Sequence, residues 1–570
     1  MIRSRELSAT ELLEATLARI DAVNPPVNAI VTLAAEQARA TAADLDARAA
    51  HGEFAGPLHG LPIAIKDLAE TAGIRTTFGS PVYASYVPDF DAPHVALLKQ
   101  AGAVVMGKTN TPEFGAGAQT FNPVFGLTRN PYDTRLTPGG SSGGAAAAVA
   151  TGMLPFADGS DVASSVRNPA AFCGLVGLRT TPGLVPAAAF DPIEVIGPIA
   201  RTAEDAALLL AGMCGRDPGR PLARPDRPGD FLGLRPASLA GLRMAWTPDL
   251  GDLPVQPAVA GVLAAARARL EAAGCEVHDA APGLSDADEV FDVLRAARMA
   301  GMAPLLRAHR DQIKSTVAGN IDRGIALTGD QIAAARLAQA AIFARFSAFL
   351  RDGCYEVLAL PTVQVLPFDA ATEWVREING EPMAAYTDWL RSCSRITVTA
   401  HPAVSVPAGL AATGRPDPGP AVRLPDPGPG AAGLHAAGLP VGLQLVGRYG
   451  GDRRLLEIAA AVMSWVLGSR QAGKRHGAAT PEGGAPRGAL HGQRAERAQT
   501  RFTDRHKAQI RLGHPVFQIG REHPRGGRAV HRERQLVEDL RGRWHRAECG
   551  DHRGQGVAGL GVPGPVLLGG

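Results

Sequence analysis

Two serine-bearing turns and one lysine hold the chemistry that this sequence can perform. The first turn is Gly139-Gly140-Ser141-Ser142-Gly143-Gly144, and the second runs over residues 160–165, reading SDVASS. Glycines let the backbone turn tightly and approach a ligand closely. A serine hydroxyl becomes a nucleophile only beside a base, and histidine fills that place in most serine hydrolases. Residues 137–181 contain no histidine. The upstream base in a comparable setting is Lys66, which ends the apolar run Leu61-Pro62-Ile63-Ala64-Ile65. Such an approach carries the amine into a desolvated interior, where burial disfavours the ammonium form and frees a neutral amine.

The pieces LPIAIKD, GGSSGG and DVASSVR, in that order, resemble the amidase signature family of serine hydrolases. The 24 positions from Ser141 to Ser165 match that family's interval between its two catalytic serines. The resemblance spans residues 12–467. It implies a three-layer α/β/α fold with a central mixed β-sheet. Carried over by position, it makes Lys66 the base, Ser141 the bridging serine on a cis peptide bond and Ser165 the nucleophile. It also implies an oxyanion hole from the backbone N–H groups of Val162, Ala163, Ser164 and Ser165, with Ser142, Asp161 and Arg167 in support. Arg167 is expected to order the turn with Asp161. The chain departs from the family turn at Ala163 and Ser164, where two glycines are usual. Every residue except proline keeps its N–H, but the new side chains could change φ or crowd the acyl pocket.

The implied activity is hydrolysis of a carboxamide to a carboxylic acid and ammonia or an amine, through an acyl-enzyme on Ser165, with no metal or organic cofactor. Two other readings stand beside it. One is the A subunit of a tRNA-dependent amidotransferase, whose SSLDQIGP segment is here replaced by FDPIEVIGP. The other is a non-catalytic ligand-binding relative. A further pattern, Gly102-Ala-Val-Val-Met-Gly107-Lys108-Thr109, fits a phosphate-binding loop letter for letter. Its AVVM is an apolar strand sequence rather than a flexible turn, so nucleotide binding is not expected.

The elements that position these residues show in the periodicity. Ser8 and Glu11 form a capping-box pattern ahead of Leu12, Leu13, Leu17 and Ile20, predicting a helix that stops before Pro25-Pro26. Strands are predicted at 29–33, 61–65, 153–157 and 175–178. Helices are predicted at 34–50, 145–150 and 203–213. The second half alternates strands (242–246, 276–278, 357–360, 404–406, 441–446) with helices (258–273, 286–308, 331–350, 383–396), an α/β pattern. A Pro/Gly-rich insertion over about 415–434 interrupts it, and the last amphipathic helix is expected over 452–467.

Composition bounds the rest. The six cysteines are scattered singly, which suits a reducing compartment rather than a disulfide framework. The opening MIRSRELSATELLEA has no apolar secretory core, and no membrane span is expected. These features point to the cytoplasm. Residues 471–570 hold 18 Lys+Arg against 9 Asp+Glu; the whole chain is +3, which leaves −6 for residues 1–470. A domain over 1–470 and a basic, disordered tail over 471–570 are expected. The charges follow no helical face, so nucleic-acid binding is not expected, and the partner is a small amide, with a homodimer left open.

Overall fold

Alternation along the strands builds three layers. In Arg243–Trp246, Met244 and Trp246 point to one helical layer while Ala245 points to the other. In Val357–Pro361, Val357 and Ala359 oppose Leu358 and Leu360 in the same way. Successive strand side chains leave opposite faces, so a strand buried on both sides reads as one apolar run. The structure, a computed structural model, describes residues 1–475 apart from 188–190, 216–218, 220–221, 226 and 413–437.

The main sheet has eight strands. In spatial order they are Glu276–Asp279, Arg243–Trp246, Val357–Pro361, Leu439–Gly447, Ala403–Ala411, Val176–Arg179, Val195–Ala200 and Phe156–Asp161. The first three are parallel, and every later neighbour is antiparallel. The sheet is therefore mixed. Helices Ala203–Met213, Pro257–Ala272 and Asp452–Arg475 cover one face. Ala287–Ala300, Gly329–Asp352 and Arg391–Val398 cover the other. A three-stranded sheet of Ile30–Leu33, Val104–Thr109 and Pro62–Lys66 brings Lys66 beside the edge strand Phe156–Asp161, where Asp158 Oδ1 accepts the Lys66 N–H at 2.9 Å.

Several elements differ from the sequence expectation, each for a local reason. The first helix is Ala9–Val27 and contains both prolines. Proline's φ is already helical, and although each proline removes an i→i−4 hydrogen bond near the helix end, Val23 and Val27 stay buried and Asn28 ends the helix in the left-handed region. The capping box at Ser8 and Glu11 forms. The predicted helix 286–308 is two, Ala287–Ala300 and Ala303–His309, because Pro304 cannot continue the first. The predicted helix 383–396 is the shorter Arg391–Val398. The last helix runs on through Gly468 and Gly473 to Arg475, since each glycine weakens a helix by only about 1 kcal/mol.

The edge strand is Phe156–Asp161 rather than 153–157, so Ser160 and Asp161 lie in it and the second turn begins at Val162. Its polar residues mimic a loop in the sequence. Strand Val195–Ala200 and helix Ser315–Ile325 were not expected. The 415–434 insertion lies outside the described residues, as does the tail beyond 475. Gly329–Asp352 is long and apolar enough, by composition, to cross a membrane; its Ala335, Ile342, Phe346 and Leu350 are buried in the fold.

Candidate active site

Close backbone approach makes the site. A Cβ on Gly159 would lie 2.8 Å from Ser142 Oγ, and one on Gly144 would lie 2.4 Å from Asn110 N. These glycines let the GGSSGG loop press between the two sheets, with helix Gly143–Ala150 wholly buried behind it. The Gly140–Ser141 peptide bond is cis. Lys66 is 1 % exposed, and its Nζ lies 2.7 Å from Ser141 Oγ, 2.8 Å from Ser142 Oγ and 3.0 Å from Ser160 Oγ. Burial pushes the Lys66 amine down to about 7, against the pull of Asp158, Asp161 and Glu194. Such an amine is neutral in a large fraction of molecules at neutral pH.

Ser165 is 8 % exposed and lines a cleft together with Ser141, Ser160, Val162, Ala163 and Ser164. Its carbonyl accepts the Ser142 N–H at 3.1 Å, which ties the two turns together. Among the described residues, nothing accepts the backbone N–H groups of Ala163, Ser164 or Ser165. Neither Ala163 nor Ser164 has a positive φ, so neither position requires glycine. The Ser164 hydroxyl is buried without a partner among the described residues.

Asp161 and Arg167 sit beneath this turn, both fully buried. Arg167 donates to Asp161 at 2.8 and 3.0 Å, to the Ala163 carbonyl at 2.9 Å, and to Gln444 Oε1 at 2.7 Å. Asp161 also accepts the Val166 N–H at 3.1 Å. Burial raises the Asp161 carboxyl, but Arg167, with Arg179, outweighs it and holds the group at about 2. Arg167 does not line the cleft; it opens a short helix, Arg167–Phe172, that sequence reasoning read as part of the turn.

Sequence reasoning missed Ser160, Asp158 and Arg179 as neighbours of the lysine and the turn. It also missed Glu194, Arg295, Arg298 and Tyr386, which form the far wall of the cleft. Their spacing from the serines carries no signal; only folding brings helix Ala287–Ala300 across the sheet end. Lys108, of the phosphate-loop look-alike, is buried in strand Val104–Thr109 and satisfied by Ala69, Thr71 and Thr76. It holds a loop, not a phosphate.

The family description Amidase matches residues 11–456 of the chain. The chain belongs to the amidase signature family. It is 35% identical over 477 residues to an acylamidase of Rhodococcus erythropolis, covering 81% of this chain and 94% of that protein. It is 47% identical over 247 residues to the A subunit of the glutamyl-tRNA(Gln) amidotransferase from Carboxydothermus hydrogenoformans, covering 43% of this chain and 51% of that protein. The solved structure of a bacterial aryl acylamidase of the same family superposes with a TM-score of 0.71 at 27% identity, over 84% of this chain and 97% of that one. This amidase signature enzyme hydrolyses amides.

Proposed function

We propose that the amidase works through a Ser165–Ser141–Lys66 relay. The observation that carries this is the buried Lys66 amine, 2.7 Å from Ser141 and lowered to about 7. Ser165 Oγ turns to Ser141 and attacks the amide carbonyl. Its proton passes to Ser141, whose own proton passes to Lys66. The free N–H groups of Ala163, Ser164 and Ser165, with that of Val162, receive the oxyanion. One such donor contributes about 3–4 kcal/mol. The relay then returns the proton to the leaving amine, leaving an ester on Ser165. Water repeats the cycle and releases the acid. Ser142 and Ser160 hold the amine in place, while Asp161 and Arg167 set the turn from below. The buried thiols of Cys173, Cys275 and Cys393, in no disulfide among the described residues, support a reducing compartment, the cytoplasm.

The test combines trapping with mutation. A fluorophosphonate should attach to Ser165 and be lost in Ser165→Ala. Lys66→Ala, Ser141→Ala and Ser165→Ala should each lower kcat by roughly 10³-fold or more, with the triple variant scarcely worse, because residues acting as one unit do not add. Near-normal turnover by a folded Lys66→Ala would sink the assignment.

The likeness to the A subunit of an amidotransferase favours one second reading, in which the same site supplies ammonia to partner proteins. Purification from the native host would return a stable heteromeric complex in that case, and the chain alone or paired with itself otherwise.

A further inference from the structure

The far wall of the cleft carries a buried cation with no anion to match it among the described residues. Arg295, on helix Ala287–Ala300, is 8 % exposed and lines the cleft. Its guanidinium donates to Tyr386 Oη at 3.0 Å and to Asn320 Oδ1 at 3.0 Å, and its carbon stands 5.4 Å from the Tyr386 ring centre. Its Nε–H is buried and has no acceptor among the described residues. No carboxylate pairs with Arg295 among those residues either. The contrast lies one turn away, where Arg298, lining the same cleft, is paired with Asp191 at 2.9 Å and Glu194 at 2.5 Å. Glu194 is thereby spent on Arg298, and the wall keeps one uncompensated positive charge.

A guanidinium stays charged, and burying a charge without a partner is costly. Tyr386 and Asn320 are neutral acceptors that fix the fork but leave its charge unanswered. Planar forks match carboxylates in geometry and charge. We propose that Arg295 receives a carboxylate carried by the substrate, so that this enzyme selects amides with an anionic terminus. The inference rests on the cleft being the amide site of the proposed function and names its substrate class.

Three matched acyl compounds test it: glutaramate (a carboxylate-terminated primary amide), glutaramide and valeramide. N-acetyl-β-alanine forms a further arm that places the carboxylate on the leaving amine, and whichever carboxylated arm is preferred identifies the side that faces Arg295. A buried charged pair lost on one side typically costs roughly 30-fold or more, so kcat/KM for the preferred carboxylated arm should exceed that for valeramide by about that factor. Arg295→Met should bring this ratio close to one, and Arg295→Lys, which keeps charge without the fork, should retain part of it. With N-acetyl-β-alanine no better than valeramide, equal rates for glutaramide and glutaramate would show a neutral acceptor instead and overturn the proposal, as would a ratio unchanged in a folded Arg295→Met. Binding separates this from failure of the relay. Calorimetry on the Ser165→Ala variant should show glutaramate or N-acetyl-β-alanine binding that the added Arg295→Met change abolishes. Should neither bind more tightly than valeramide there, the carboxylate site falls even if every step of the relay stands. Should one bind so while the intact enzyme fails to cleave any of the four, the relay reading falls and the site remains.

Discussion

Three carboxylates act on the Lys66 amine, Asp158, Asp161 and Glu194. Asp161 is neutralised by Arg167 and Arg179, and Glu194 by Arg298. Among the described residues, Asp158 has only His94, at 3.2 Å, beside the Lys66 backbone N–H that it accepts. Its field on the amine is therefore the least cancelled of the three. The relay needs neutral lysine, so kcat/KM should fall as pH drops through about 7, where the amine becomes protonated. Asp158 raises the Lys66 value, since an anion favours the ammonium. Asp158→Asn, which keeps an acceptor for the backbone, should shift that acidic limb to lower pH. The measurement is the pH profile of kcat/KM for both proteins on one neutral amide. A limb that stays put or moves upward in a folded variant would show that Lys66 is not the titrating base.

At the scale of elements, the GGSSGG loop works because helix Gly143–Ala150 is almost without side chains where it meets its neighbours. A methyl on Gly144 would sit 2.4 Å from Asn110 N and 2.7 Å from Ala29 O. Both are backbone atoms and cannot swing aside. Gly144→Ala should therefore lower stability by about 1–3 kcal/mol or more, as overpacked cores do, and should lower turnover by displacing Ser141 and Ser142. Thermal unfolding together with an amidase assay would read both, and an unchanged midpoint would refute the close packing. The same stretch shows what the sequence made legible. Glycines, serines and the apolar approach to Lys66 are contiguous signals, so the two turns and the lysine could be read locally. The polar strand residues Ser160 and Asp161 looked like a turn because they face a buried amine and arginines rather than an apolar core. Arg295 and Glu194 were illegible for another reason: each sits in an ordinary amphipathic or loop segment, and only the sheet's strand order brings them to the cleft. Pro25-Pro26 misled in the opposite direction, since a local stop signal lost to the burial of Val23 and Val27.

For the whole molecule, the question is how much chain the enzyme needs. Every strand of the main sheet is in place by Gly447, and the last helix has its final buried side chain among the described residues at Met463. The family match ends at residue 456. An alignment using 81% of this chain already spans 94% of the Rhodococcus erythropolis acylamidase. A boundary at 470 would cut the last helix, which continues to Arg475; a chain ending after Arg475 would keep it whole. The cleft walls and the ion pairs around Lys66 described above all come from residues that precede this helix. We therefore expect the 1–475 chain to retain the kcat/KM and unfolding midpoint of the full chain. Parallel assays and thermal unfolding of the two proteins decide this. A loss of activity, or a midpoint lower by several degrees, would make the basic segment an integral part of the enzyme and place the boundary beyond Arg475.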